Sequence, residues 1–166
     1  MQVHPQLDLY FQREIGIPAD AVWRAWTQPE LLMQWFCPRP WKVVDCEIDL
    51  RPGGVFSTTM QSPEGQRMPA MPGSYLQVEP LSRLVWTNAL GPGFRPMPTS
   101  NAAEGPPSLM FVAELRFEAR ASNTLYRACV RHADAQSRER HAAMGFEQGW
   151  GIALDQLVEL MEPERS

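Results

Sequence analysis

The sequence predicts an α+β fold, with a curved antiparallel sheet wrapped around one long C-terminal helix. Three observations carry that expectation. The stretch from Ala142 to Met161 repeats apolar residues at helical spacing, through Phe146, Trp150, Ala153, Leu154, Leu157 and Met161. Ahead of it runs a series of segments with strand-like alternation. Only two short helical stretches interrupt that series, directly after its first member. A lone amphipathic helix behind a run of strands needs one large apolar surface for its stripe, and the concave side of a sheet is the surface available. Such packing leaves space between helix and sheet, and what fills that space is the functional question.

The elements follow in order. Leu7, Leu9 and Phe11 alternate with Asp8, Tyr10 and Gln12 and continue to Ile15 and Ile17, a half-buried strand that Pro18 breaks. Asp20 falls in the first turn of a short helix carrying Val22, Trp23 and Trp26, where a carboxylate suits the positive end of the helix dipole. That helix stops near Thr27. Thr27-Gln-Pro-Glu30 has the spacing of a capping box, which predicts a second short helix through Leu31, Leu32 and Trp35. From Trp41 the period becomes two. Val43, Asp45/Cys46 and Ile48 lead into Arg51-Pro52-Gly53-Gly54, a turn in which the glycines allow positive φ, and Val55, Phe56, Thr58 and Met60 return. Ser62 to Pro72 reads as loop, Gly73 to Val78 as strand closed by Pro80, and Leu84 to Thr87 as a strand of high β propensity. Gly91 to Pro107 is a proline- and glycine-rich loop with almost no regular-structure signal. Leu109 to Glu118 and Thr124 to His132 complete the sheet around the turn Ala121-Ser122-Asn123. Asp134 is the expected N-cap of the final helix, which is expected to run unbroken to about Glu162, before Pro163.

Composition narrows the function classes. At 166 residues with 44% hydrophobic content, one well-buried domain is expected over residues 1–166. A net charge of -4 and the absence of a Lys/Arg cluster interleaved with aromatics argue against a nucleic-acid partner. Cys37, Cys46 and Cys129 form an odd set without a C-x-x-C pair, which predicts free thiols and a reducing compartment. With no basic and apolar leader at the N-terminus and no long apolar run, a cytoplasmic protein without membrane insertion is expected.

Four fragments, in order and spanning nearly the whole chain, carry a family resemblance. They are Pro18-x-x-x-Val22-Trp23-x-Ala25 followed by Pro29-Glu30-x-x-x-x-Trp35; Asp49-x-Arg51-Pro52-Gly53-Gly54; Gly73-x-Tyr75 with Pro80-x-x-Arg83-Leu84-Val85; and Gly149-Trp150-x-x-x-Leu154-x-x-Leu157. With these the sequence resembles the START-like (SRPBCC) superfamily, and within it the group similar to the C-terminal domain of the activator of Hsp90 ATPase. The resemblance implies a helix-grip fold of the START/Bet v 1-like kind, with a tunnel for a hydrophobic small molecule. Members include lipid carriers and polyketide cyclases, so the resemblance fixes architecture better than chemistry. The loop 91–107 and the proline-rich 62–72 segment depart from the pattern and bear on the cavity mouth.

Candidate site residues come from the large, soft side chains, which line ligand pockets and equally fill cores. The expected ligand-binding set is Trp35, Trp41, Phe56, Met60, Tyr75, Trp86, Phe111, His132, Phe146 and Trp150, with Met68 and Met71 as further members of the same class. Trp150, between Gly149 and Gly151, is the sharpest case, because small neighbours let a strand or ligand approach closely. His132 is in phase with Tyr126, Ala128 and Val130 and so faces the cavity side. A structural histidine at the strand–helix junction is the favoured reading there, and an imidazole that orients a ligand or moves a proton is the other. Cys129, in the opposite phase, reads as packing. No H-x-H or H-E-x-x-H pattern is present, His4 and His141 have no neighbouring ligand set, and neither metal nor cofactor is expected. Asp45, Glu47 and Asp49 read as one solvated strand face, and Gly53-Gly54 as a hairpin turn and not a phosphate cradle.

The expected function is binding of a small hydrophobic or aromatic molecule between the sheet and the C-terminal helix, without catalysis. The alternative is a polyketide cyclase or hydrolase-like enzyme in which His132, Tyr75 or Arg127 supplies acid–base groups, which requires two polar groups converging in the cavity. A third reading, from the resemblance alone, is a co-chaperone that activates the Hsp90 ATPase. Pairing into a homodimer is a further expectation, with no interface specified.

Overall fold

The computed structural model describes residues 1–98 and 109–162. Its first strand, β1 (Asp8–Ile15), buries Leu9, Phe11 and Ile15 on one side, as the alternation requires. Two short helices follow, α1 (Ala19–Thr27) and α2 (Pro29–Leu32). Asp20 sits in the first turn of α1, and Ala21, Val22, Ala25 and Trp26 form its buried face. The expected capping box does not form. Thr27 Oγ1 donates back to the Trp23 carbonyl at 2.7 Å, and Gln28 is the residue that precedes α2, with Pro29 supplying a preset φ at the first helical position.

The strands β2 (Lys42–Ile48) and β3 (Phe56–Gln61) form an antiparallel ribbon, and β4 (Ser74–Glu79), β5 (Arg83–Thr87), β8 (Val112–Arg120) and β9 (Asn123–Arg131) join β1 in a sheet of order β1-β9-β8-β5-β4. Bridges Val55↔Ser74 and Thr58↔Met71 continue that sheet into the ribbon. Register shifts between Val43 and Asp45 in the ribbon and between Tyr75 and Gln77 at the sheet edge mark β-bulges, which bend the strands that carry them. The 62–72 segment, expected as plain loop, runs back along β3 through Gln61↔Arg67 and Thr58↔Met71, bringing Met71 and Pro72 beneath the helix.

Of the two turn glycines only Gly53 has positive φ, +80°. Gly54 is demanded by space, since a Cβ there would lie 2.0 Å from the Asp49 carbonyl oxygen. Within the proline-rich loop, β6 (Leu90–Gly91) pairs with β7 (Arg95–Pro96) in a short hairpin not anticipated from the sequence. It docks on the Gly53 turn, with Gly93 N–H donating to the Gly53 carbonyl at 2.8 Å and the Phe94 ring covering Gly53. The rest of that loop, 99–107, lies outside the described residues.

The closing helix is two helices, not one. Asp134 caps α3 (Ala135–Ala143) by accepting from Ser137 N–H at 2.7 Å, and α4 (Phe146–Met161) starts afresh. Gly145, at φ +86°, turns the chain between them in the left-handed conformation that glycine adopts without a Cβ clash. The grip itself is made by α4, which lays Phe146, Ala153, Leu154 and Leu157 on the core together with Trp26, Leu84, Leu115 and Tyr126. This is the helix-grip α+β architecture expected from the element order. Among the described residues no helix is long and apolar enough to cross a membrane.

Candidate ligand cavity

A cavity of about 610 Å³ lies between α4 and the concave face of the sheet, within the range of small-molecule sites. Nine aromatic rings follow one another around it in unbroken contact. Trp26 meets Trp35 at 4.8 Å between centroids, Trp35 meets Phe36 at 5.7 Å, and Phe36 meets Phe56 at 5.9 Å. Phe56 then meets Trp86 at 4.7 Å, Trp86 meets Phe111 at 5.5 Å, and Phe111 meets His141 at 5.2 Å. His141 packs on Phe146 at 5.3 Å, and Phe146 on Trp150 at 5.2 Å. Each of these nine residues lines the cavity. Most contacts are edge-to-face or tilted, the geometry that ring quadrupoles favour. The half-exposed Met71 and Trp41 and the exposed Met144 belong to the same wall and mark the side on which it opens.

Two polar staples hold this wall in place. Gln156, buried on α4, donates through Nε2 to the carbonyls of Trp35 and Cys37 at 3.0 and 2.9 Å and accepts from Arg39 N–H at 2.9 Å. It thereby fixes the 35–41 segment that carries Trp35, Phe36 and Trp41. Asn88 donates to the Leu109 carbonyl at 2.8 Å and accepts from Phe111 N–H at 2.9 Å, and Thr87 Oγ1 donates to the Phe111 carbonyl at 2.7 Å. These bonds set Phe111 just before β8.

No Asp, Glu, Lys or Arg side chain lines the cavity among the described residues. Its polar groups are few and neutral. Burial pushes the Tyr126 phenol and the Cys37 thiol up, so neither ionises near neutrality. The His141 imidazole is pushed down to about 4, by burial first and by the charge of His132 second. The Trp86 indole N–H is buried with no acceptor among the described residues.

Of the residues singled out from the sequence, Trp35, Trp41, Phe56, Met60, Trp86, Phe111, Phe146 and Trp150 line this cavity, as does Met71. Tyr75, His132 and Met68 do not. Tyr75 stands behind Phe56, with centroids 5.4 Å apart, and its hydroxyl is sealed in without a partner among the described residues. His132 does face inward, but α3 covers it. Its Nδ1 lies 2.9 Å from the Leu7 carbonyl and its Nε2 2.9 Å from His141 Nδ1, so both ring nitrogens are engaged. Met68 is exposed beyond the rim. Arg127 is on the opposite face of the sheet, paired with Glu118 at 3.2 Å. The three acid–base groups of the enzymatic alternative are therefore not brought together. Sequence reasoning missed His141, Gln156, Trp26 and Phe36. Gln156 carried a signal, being a polar residue three after Ala153 and four before Leu160 within an otherwise apolar stripe.

The glycines around Trp150 divide their roles. A Cβ at Gly151 would lie 3.2 Å from Arg13 Nη2 and 4.0 Å from Phe11, so this glycine lets α4 approach β1. At Gly149, which lines the cavity, a Cβ would meet nothing within 4 Å. Asp45 and Glu47 are exposed, as a solvated strand face requires. No group of three or more His, Cys, Asp or Glu is placed to hold a metal ion among the described residues.

Known proteins share this fold. A crystal structure of a Nitrosomonas europaea protein is 40% identical, with TM-score 0.87 over 96% of this chain and 97% of that one. A Rhodobacter sphaeroides protein shares the fold at 20% identity, with TM-score 0.78 over 99% of this chain and 100% of that one. A protein from Aeromonas hydrophila described as AHSA1-like does so at 19% identity, with TM-score 0.63 over 93% and 92% of the two chains. No curated protein matches the chain. The family model described as Activator of Hsp90 ATPase homolog 1-like protein matches residues 17–162, and the chain belongs to that START-like family.

Proposed function

We propose that this protein binds a neutral, apolar small molecule of aromatic size in the cavity between α4 and the sheet. The observation that supports this reading is the continuous succession of nine rings lining about 610 Å³ of space, with no charged side chain in its wall among the described residues. Burying an aromatic ligand there gains roughly 25 cal/mol for each Å² of apolar surface removed from water, and nothing in the wall compensates an ionised group. Trp35, Trp41, Phe56, Met60, Trp86, Phe111, Phe146 and Trp150 are the proposed contact residues, with Trp26, Phe36 and His141 added by the geometry.

Catalysis fits less well. A cyclase or hydrolase needs an acid and a base converging on the reacting atom. His132, Tyr75 and Arg127 lie outside the cavity, and the Cys37 thiol is held protonated by burial. Native mass spectrometry of the protein isolated from its host tests the binding reading. A bound species of a few hundred daltons or less, released by organic solvent, is the expected result. A mass equal to the bare chain, unchanged after incubation with a panel of neutral bicyclic aromatics, would refute it.

A further inference from the structure

The chain of hydrogen bonds behind the cavity wall has a fixed direction. The Leu7 carbonyl can only accept, so the His132 nitrogen 2.9 Å from it, Nδ1, carries a proton. In the neutral ring Nε2 of His132 is then an acceptor, and its partner 2.9 Å away, His141 Nδ1, must be the donor. That leaves His141 Nε2 as the unprotonated nitrogen. Nδ1 of His141 is spent on His132, which does not line the cavity, whereas His141 does, and Nε2, separated from Nδ1 by Cε1, is directed well away from that contact. Nε2 has no partner among the described residues. The ring is packed at a tilt against Phe111, at 32° and 5.2 Å between centroids, and edge-on to Phe146, and these contacts with the Nδ1 hydrogen bond hold its orientation. An acceptor is thus fixed in a wall with few polar groups and no charged ones among the described residues, by the residue that follows β9, a residue on α3 and a backbone carbonyl ahead of β1.

We propose that the molecule held in this cavity carries a hydroxyl donor of the phenol or enol type, whose O–H is accepted by His141 Nε2, with His132 as the positioning residue that sets the tautomer. This rests on the binding reading above and adds the chemical class. Neutrality of His141 is consistent with its burial, which disfavours the imidazolium. A ligand whose oxygen is only an acceptor leaves Nε2 desolvated and unpaired, which is the larger of the two penalties.

The test uses two probes with one skeleton, 2-naphthol and 2-methoxynaphthalene, titrated against the full chain by quenching of tryptophan emission. Wild-type protein is expected to prefer the naphthol roughly five- to tenfold, the weight of one net hydrogen bond. His141→Phe keeps the ring contacts and removes the acceptor, and should bring the two probes to parity while the methoxy compound still binds. Equal affinities in the wild type, or a preference that survives in His141→Phe, overturn the proposal while leaving the cavity reading intact. Failure of both probes to bind wild-type protein overturns both. Long-range ¹H–¹⁵N correlation of the imidazoles in the wild type reads the tautomer independently of any variant. A proton on Nδ1 of His141 and none on Nε2 is the expected pattern, and the reverse overturns the assignment.

Discussion

Gly149 and Gly151, two residues apart on α4, turn the existence of the cavity into a difference of sign. Replacing either by leucine gives the same gain in helix propensity, about 0.8–1 kcal/mol. What differs is the surroundings. The Gly149 Cβ would meet nothing within 4 Å, and its side chain would enter the cavity and cover part of the aromatic wall, adding about 1 kcal/mol for a half-buried leucine. Gly149→Leu should therefore stabilise the fold by about 1–2 kcal/mol, or about 2–8 °C in Tm for a chain of this size. At Gly151 the Cβ already stands 3.2 Å from Arg13 Nη2 and 4.0 Å from Phe11, and the longer side chain overpacks the α4–β1 contact at a cost of about 1–3 kcal/mol. Gly151→Leu should be neutral to destabilising by about 2 kcal/mol, and the pair should differ by about 1–4 kcal/mol. Urea denaturation at equal m-values measures this. Gly149→Leu should also weaken 2-methoxynaphthalene binding at least tenfold, because it occupies the ligand's place. A Gly149→Leu protein less stable than wild type by more than about 1 kcal/mol would mean that the space beside α4 is already packed and that no cavity exists there.

Other perturbations follow from the same contacts. Gln156→Leu strands the carbonyls of Trp35 and Cys37 and the N–H of Arg39; a loss of about 2–4 kcal/mol, together with a changed near-UV circular dichroism spectrum as Trp35 and Trp41 loosen, is expected. Gly54→Ala, with its Cβ 2.0 Å from the Asp49 carbonyl, should cost about 2 kcal/mol or more and displace the β2–β3 ribbon, seen as a lowered urea midpoint. Acid stability should fall in two windows. Because the His141 pKa is lowered to about 4 in the folded protein from an ordinary 6.5, its contribution is complete above pH 6.5 and is lost as pH falls to about 4. That loss amounts to about 3 kcal/mol at most, less what water at the cavity mouth restores. Burial raises the Glu114 carboxyl, but hydrogen bonds from Arg116 and Arg131 and the charge of Arg83 outweigh it and hold the group below the ordinary value. Its contribution is therefore present above the ordinary carboxylate pKa and is lost as pH falls below it. Urea midpoints from pH 8 to 3 should show both steps, and only the upper one should vanish in His141→Phe.

Period-two alternation located β1 because it has one face in the core and one in water, as Leu9, Phe11 and Ile15 show against Tyr10 and Gln12; β8 and β9 are buried on both faces over much of their length and were marked instead by their β-branched and aromatic content between turns. The break at Met144-Gly145 left no such mark. With glycines also at 149 and 151 inside α4, a glycine at 145 does not by itself announce an end, and only the φ of +86° distinguishes it. The Thr27 capping box failed for a local reason, since the hydroxyl found a closer acceptor one turn back, at Trp23. Composition pointed to the aromatic wall because large soft side chains had few other places to go. Strand phase tells which face a residue is on but not its depth. His132 and Tyr75 are both on the inner face, one behind His141 and the other behind Phe56. His141 itself was illegible, since its position over the cavity depends on the angle between α3 and α4, which no short-range pattern encodes.

The chain's six tryptophans report directly on whether a ligand sits between α4 and the sheet. Trp26, Trp35, Trp41, Trp86 and Trp150 line the cavity, whereas Trp23 packs on Phe117 outside it, with centroids 6.4 Å apart. In an indole ¹H–¹⁵N spectrum, saturation with 2-naphthol should shift the signals of the five and leave Trp23 in place. An unchanged spectrum, or a shift led by Trp23, would contradict a ligand seated between α4 and the sheet.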